Sequence, residues 1–124
     1  MAYEGKYTAF SWEANADLST KQYYVVQLNT SEKIALADAT VRVIGVLQNE
    51  PVAGEACEVA IDGICKVITD GSTPIAAMDA LASDANGKAV KTTTDNDEIV
   101  GWALAPSTAD GSIIPMLLAP LRRY

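Results

Sequence analysis

Short apolar runs alternate along the chain with evenly spaced turn residues, a pattern typical of all-β proteins. The runs, each about as long as one strand, lie at 23–28, 34–36, 41–47, 57–67, 99–104 and 113–118. Clusters rich in Asn, Asp, Gly and Pro separate them, and these residues favour tight turns. We therefore predict an all-β fold, a compact β-barrel or sandwich of short strands.

Two local features interrupt this pattern. Asp62-Gly63 breaks the long apolar run at 57–67 and fits either a tight hairpin turn or a bulge inside one bent strand. In the segment 69–81, either Ser72 or Thr73 can cap a helix, and Pro74 suits a first helical position. The sequence therefore predicts one short helix of one or two turns in this segment.

The two halves of the chain resemble each other. When the sequence is shifted by 56 residues, Val43-Ile44-Gly45 falls on Ile99-Val100-Gly101, and the neighbouring elements align without a gap. The matches are of residue class rather than identity. The pattern predicts a single β domain at 21–124, built from two pseudo-repeated halves at 21–67 and 77–121.

The first twenty residues have a different character and lie outside the matched halves. Four aromatic residues stand among polar ones in this segment, at Tyr3, Tyr7, Phe10 and Trp12. They are compatible with a strand that closes the core, or with an arm that docks on another chain, because aromatic residues carry much interface energy. We predict an extended N-terminal arm at 1–20.

The charge balance excludes several classes of partner. The formal net charge is −7, from 9 basic and 16 acidic residues, and the only basic cluster is Arg122-Arg123. Such a surface repels nucleic-acid phosphates and anionic membranes. No apolar run approaches a membrane-spanning length, and the N-terminus lacks the layout of a secretory signal. We predict no nucleic-acid partner, no membrane partner, and assembly in the cytoplasm.

The chain carries no recognisable catalytic motif. It contains no histidine, which rules out Ser-His and Cys-His pairs, and it has no glycine-rich phosphate or dinucleotide loop. The acidic cluster 95–98 lacks the glycine and the distal glutamate of a calcium loop. Cys57 and Cys65 cannot supply four zinc ligands, and we interpret them as buried apolar residues. We predict no catalytic residues, no cofactor and no metal.

Six features between residues 45 and 101 together form the pattern of a known protein family. They are a strand ending in Gly45-Val46, a turn at Ala53-Gly54-Glu55, a strand at 59–63, an Ala-rich segment at 75–81, a turn at 84–88, and Gly101 in a late strand. Over about residues 20–120 the chain resembles phage capsid cement, or head decoration, proteins. Some relatives carry a recombinase label, and the missing phosphate loop argues against that label here.

The resemblance implies a structural virion protein, assembled in the host cytoplasm. It would bind the outer surface of an icosahedral capsid as a homotrimer and stabilise neighbouring subunits of the major capsid protein. A small β-barrel adhesion or ligand-binding module of a phage tail or fibre is the alternative, and an enzyme working through carboxylates alone is a third. The expected contact residues are Tyr3, Tyr7, Phe10, Trp12, Arg122, Arg123 and Tyr124.

Overall fold

The computed structural model describes residues 5–124, which form β-strands and no helix. Neighbouring strands pair antiparallel in the order β3-β2-β4-β5-β9-β8-β6-β7, with β1 paired to β5, and the sheet curls into a half-barrel. The all-β prediction is therefore confirmed. The strands are β1 Tyr7–Glu13, β2 Val25–Leu28, β3 Ile34–Leu36, β4 Gly45–Leu47, β5 Ala56–Ile68, β6 Ala80–Ser83, β7 Ala89–Lys91, β8 Glu98–Ala103 and β9 Ile113–Arg123.

The prediction of a short helix at 69–81 is wrong. Before β6 begins, this segment consists of turns and two isolated bridges, Thr69 to Ala89 and Ile75 to Ser107. The Asp79 carboxylate accepts a hydrogen bond from the N–H of Ala76 at 2.8 Å, which closes a turn. Met78 has a φ of 74°, a left-handed conformation that a right-handed helix cannot contain.

Asp62 and Gly63 lie within the continuous strand β5 and do not form a hairpin turn. Thr8 pairs with Asp62 but Ala9 pairs with Ala60, so the register of β1 on β5 shifts at this point. This irregularity is the bulge alternative of the sequence prediction. Gly63 has a φ of 97°, and a side chain there would collide with the backbone of Lys6 and Tyr7.

Strand β5 connects two halves of the sheet. Its first part pairs with β1 and β4, where Ala60 lies opposite both Ala9 and Val46. Its second part pairs with β9, where Ile64 lies opposite Leu117. The first half of the structure therefore extends from β1 to the start of β5, and the second from the end of β5 to β9.

The same arrangement of strands occurs in both halves. The order β3-β2-β4-β5-β1 has its counterpart in β7-β6-β8-β9-β5. Gly45 in β4 and Gly101 in β8 are 56 residues apart, and both lie against a neighbouring strand. A Cβ at these positions would collide with the carbonyl oxygens of Ala60 and Leu117, respectively. Glycine is therefore required where these strands approach closely.

The correspondence includes β1, which the sequence pattern placed outside the two halves. Phe10 pairs with Val59 in the β1–β5 ladder, and Cys65 pairs with Met116 in the β5–β9 ladder. The first pair corresponds to the second, so Phe10 corresponds to Cys65. Residues before position 20 also contribute to the core: Leu18 is 4% exposed.

Two groups of buried side chains form the core. The first core cluster lies within the first half and consists of Ala14, Leu18, Val26, Ile34, Leu47, Cys57 and Val59. The second core cluster combines residues of both halves, among them Val25, Val46, Ala60, Leu81, Val100 and Met116. Side chains alternate across a strand, so Leu47 and Val59 face the first cluster, while Val46 and Ala60 face the second. Strand β4 and the adjoining Val59-Ala60 of β5 are consequently covered on both faces.

The two cysteines are core residues, as the sequence predicts. Both thiols are free, and Cys57 and Cys65 are almost completely buried. Burial disfavours the charged thiolate and raises the pKa of Cys65 to about 12. The Cys65 thiol is therefore protonated at neutral pH and is a poor nucleophile.

Candidate functional site

Strand β1 is unusual because its side chains are exposed on both faces of the sheet. Only Phe10 is half-buried, packed against the first core cluster, and the remaining residues of the strand are exposed. Tyr7 is 39% and Trp12 45% exposed. An antiparallel strand normally packs one face on the core. The exposed aromatic side chains of β1 are therefore available to a partner.

The backbone and the aromatic side chains of β1 are held in place by the rest of the molecule. Every residue of the strand pairs with β5. The Trp12 Nε1–H donates a hydrogen bond to the Glu32 carbonyl oxygen at 2.7 Å. The rings of Phe10 and Trp12 are tilted by 53°, with centroids 6.2 Å apart. Side chains that are already ordered lose little entropy when they bind.

Tyr7 is fixed by an acidic partner. Its hydroxyl donates a hydrogen bond to a carboxylate oxygen of Glu58 at 2.7 Å. This bond is the main reason that the pKa of Tyr7 is raised to about 12, because loss of the phenolic proton would break it. The Tyr7 side chain is therefore neutral over the physiological pH range.

The C-terminal residues continue β9 and are partly engaged within the chain. The Arg123 guanidinium lies 3.5 Å from the Glu98 carboxylate, which also pairs with Arg42 at 3.2 Å. The backbone of Tyr124 hydrogen-bonds to the 94–97 turn. The residue itself is 44% exposed. Arg122 is exposed and has no ion-pair partner among the described residues.

An open apolar groove of about 740 Å³ lies between the two halves. Leu117 and Leu121 are 40% and 58% exposed there, and Arg122 lies at its border. Exposed leucines are ordinary on protein surfaces, and here two of them lie beside other apolar side chains in one groove. The groove is lined mainly by Phe10, Ile44, Ile61, Trp102, Leu117 and Leu121.

The structure brings together only part of the site expected from the sequence. Phe10 and Arg122 border the same groove, whereas Trp12 lies beside Glu32 in a separate shallow depression. Tyr3 lies outside the described residues. The sequence did not single out Trp102, although it is one of only two tryptophans in the chain.

Several acidic side chains of the described region hold turns together. The Asp84 carboxylate accepts hydrogen bonds from the N–H groups of Asn86 and Lys88, and the Lys88 ammonium pairs with Asp110 at 2.9 Å. Between residues 5 and 124, no group of three or more His, Cys, Asp or Glu side chains is arranged to hold a metal ion. The same region has no helix long and apolar enough to cross a membrane.

Comparison with known families defines the class of protein. The family model described as phage cement protein matches residues 4–118. The protein is therefore a structural component of bacteriophage particles, of the class that associates with the capsid. The chain belongs to the phage cement protein family.

A solved structure shares the fold. The N base of the head fiber protein gp8.5 of bacteriophage phi29 superimposes with a TM-score of 0.68 at 18% sequence identity. The match covers 94% of this chain and 99% of that one. No curated protein sequence matches the chain significantly.

Proposed function

We propose that the protein binds the outer surface of an icosahedral phage capsid as a homotrimer and cements neighbouring subunits of the major capsid protein. The observation that carries this proposal is β1, which is paired along its whole length and yet exposed on both faces. Membership of the cement family supports it. The protein acts through binding, and assembly on the capsid takes place in the host cytoplasm.

The ordered aromatic side chains supply the binding energy. Burying a large apolar side chain contributes about 2 kcal/mol, and the ladder to β5 already holds Phe10 and Trp12 in position. A trimer presents three such strands at once, so modest single contacts combine into a strong attachment. Neighbouring capsid subunits that contact the same trimer are thereby held together.

Charge supports a protein partner on the outside of the shell. The net charge of −7 disfavours contact with packaged nucleic acid. Arg122 is exposed at the border of the groove, and we propose that it pairs with an acidic group of the capsid. Arg123 contributes less to capsid binding, because its guanidinium already pairs with the Glu98 carboxylate. Tyr124 adds an exposed aromatic surface beside them.

Replacing Trp12 with alanine is expected to weaken binding to the capsid about 30-fold, equivalent to about 2 kcal/mol. The change removes exposed aromatic surface but keeps the backbone pairing of β1. Sedimentation of the protein with expanded empty capsids over a range of concentrations measures the affinity. Leu28→Ala is the matched control, because Leu28 is 44% exposed on β2, and it should bind as the unchanged protein does.

Two results would contradict this assignment. If Trp12→Ala and Leu28→Ala bind equally well, β1 is not the docking strand. If the unchanged protein does not sediment with capsids at a fixed ratio, it is not a cement protein. A thermal melt of each variant shows whether lost binding reflects lost folding.

The second candidate function is the base of a fibre, or an adhesion or ligand-binding module carried by the particle. The shared fold with the phi29 head fiber base favours it. Binding to glycans or to a host surface without binding to capsids would support this candidate over the first.

A further inference from the structure

The same turn occurs in both halves, with an amide side chain in the first and a carboxyl group in the second. Asn29 Oδ1 accepts hydrogen bonds from the N–H groups two and four residues further along the chain, each at 3.0 Å. Asp84 Oδ1 accepts the same two bonds, at 2.8 and 2.9 Å. Position 84 can therefore hold either side chain, because both bonds need only an acceptor oxygen.

A second amide in the first half also corresponds to a carboxyl group in the second. The N–H of Asn15 donates to the carbonyl oxygen of Ile34 at 2.8 Å, and the N–H of Asp70 donates in the same way to Ala89 at 2.8 Å. Asp70 therefore occupies the place in the second half that Asn15 occupies in the first. Two carboxyl groups replace two amides where the turn between β6 and β7 meets the segment after β5.

The two carboxyl groups lie in contact with each other. Asp70 and Asp84 are half-buried in a polar pocket of about 430 Å³, and their side chains hydrogen-bond to each other. Ionised carboxylates only accept hydrogen bonds, so this contact requires a proton on one of the two groups. Burial and the bond to Asp70 raise the pKa of Asp84, and the same bond lowers the pKa of Asp70. The proton therefore resides on Asp84, whose O–H donates to the Asp70 carboxylate.

Other charged and titratable groups surround this pair. The same pocket contains Lys21, Tyr24, Lys88 and Asp110. A neighbouring pocket that also includes Asp84 contains Asp38, Lys91, Asp97 and Glu98. The Lys88 ammonium already binds the Asp110 carboxylate at 2.9 Å. It therefore offsets only part of the repulsion that arises when both members of the pair are ionised.

The turn that carries Asp84 also joins the two halves. The N–H of Val25 in β2 donates to the carbonyl oxygen of Gly87 at 2.7 Å. A Cβ at Gly87 would lie 3.0 Å from the carbonyl oxygen of Val25, so the turn and the strand are in close contact. Repulsion that moves Asp84 away from Asp70 therefore acts on a contact between the halves.

We propose that Asp70 and Asp84 form a pH-sensitive latch, which holds the 84–88 turn against β2 while the pair shares one proton and loosens it when both groups are ionised. The proton comes from solvent and returns to solvent as the pH rises. The shared-proton state exists between the lowered pKa of Asp70 and the raised pKa of Asp84. The contribution of Asp84 to stability is lost as the pH rises through its raised pKa, and that of Asp70 is lost as the pH falls through its lowered pKa. The inference does not depend on capsid binding.

Replacing Asp84 with asparagine is expected to keep the latch closed at neutral pH. Asparagine can keep both turn bonds, as Asn29 does in the first half, and its amide N–H can donate to Asp70 in place of the carboxyl O–H. At neutral pH the variant should melt at a higher temperature than the unchanged protein. The difference should shrink as the pH is lowered through the titration of Asp84, because the unchanged protein then closes its own latch.

Asp17→Asn is the matched control for this substitution. Asp17 also accepts a turn hydrogen bond, from the N–H of Ser19 at 3.0 Å, but its pKa is lowered by Ser19 alone, with no carboxyl partner. This variant should not melt at a higher temperature than the unchanged protein at neutral pH. Amide hydrogen exchange at Val25, whose N–H bonds to the turn, should be slower in Asp84→Asn than in the unchanged protein at neutral pH.

An NMR titration of the aspartate carboxyl carbons tests the pair directly. Asp70→Asn places an amide N–H beside Asp84, which favours the ionised form and should lower the pKa of Asp84. A titration of Asp84 that Asp70→Asn leaves unchanged overturns the inference. So does an Asp84→Asn variant that melts no higher than the unchanged protein at neutral pH, or one in which the Val25 amide exchanges at an unchanged rate.

Discussion

Replacing Gly101 with alanine is expected to lower the free energy of unfolding by about 3 kcal/mol. The added methyl group would collide with the carbonyl oxygen of Leu117 and press on the side chain of Met116. The backbone oxygen belongs to the β8–β9 ladder and cannot move without breaking hydrogen bonds. Gly45→Ala should have a similar effect, because its methyl group would meet the carbonyl oxygen of Ala60. Urea denaturation of each variant measures the loss.

Gly54→Ala is the control for these two substitutions. Gly54 has a φ of 83°, but no atom lies within 4 Å of an added Cβ. Only the cost of the left-handed conformation remains, about 1 kcal/mol. Equal losses at Gly54 and Gly101 would show that the strands do not approach as closely as described.

Deleting residues 1–13 is expected to abolish cooperative unfolding. The deletion removes β1, leaves the first part of β5 without this partner strand, and uncovers the core cluster against which Phe10 packs. Native domains are stable by only about 5–15 kcal/mol, so the loss of a strand that is paired along its whole length exceeds what a chain of this size can tolerate. Circular dichroism during heating measures the transition.

Side-chain substitutions on the same strand provide the control for the deletion. Tyr7→Phe removes the hydrogen bond to Glu58 but keeps the pairing with β5, so this variant should still unfold cooperatively. A truncated protein that melts in one sharp transition close to that of the full chain would contradict this expectation. Residues 1–13 would then be an independent arm.

The class of fold follows from local signals, while its details depend on distant contacts. Apolar runs and turn residues predict most of the strands. They could not decide between a hairpin and a bulge at Asp62-Gly63, because the bulge depends on pairing with β1, some fifty residues away. The predicted helix fails for a local reason: Met78 adopts a left-handed conformation that its residue type does not indicate.

The 56-residue similarity identifies corresponding strands but misses the role of β1. Its counterpart is the second part of β5, where the small buried Cys65 stands in the place of Phe10. A shift of 56 residues sets Phe10 on Lys66 rather than on Cys65, so the alignment of the halves does not include this strand. The sequence also cannot show that one strand serves both halves. We propose that the two halves are copies of one structural unit.

The site was predictable only where its residues stand out from their surroundings. Aromatic residues among polar ones indicated β1, and adjacent arginines indicated the C-terminal residues. Trp102 and Leu117 lie within apolar strands, where the same residue types normally form the core. Their exposure arises because no layer of the described chain covers that face.

Heating DNA-filled capsids with and without the protein tests the cementing function most directly. If the protein links neighbouring capsid subunits, the temperature of DNA release should rise with added protein and stop rising when the binding sites are full. A higher concentration of the Trp12→Ala variant than of the unchanged protein should be needed to reach the same temperature of DNA release. Saturated binding that leaves the release temperature unchanged would show that the protein only decorates the shell.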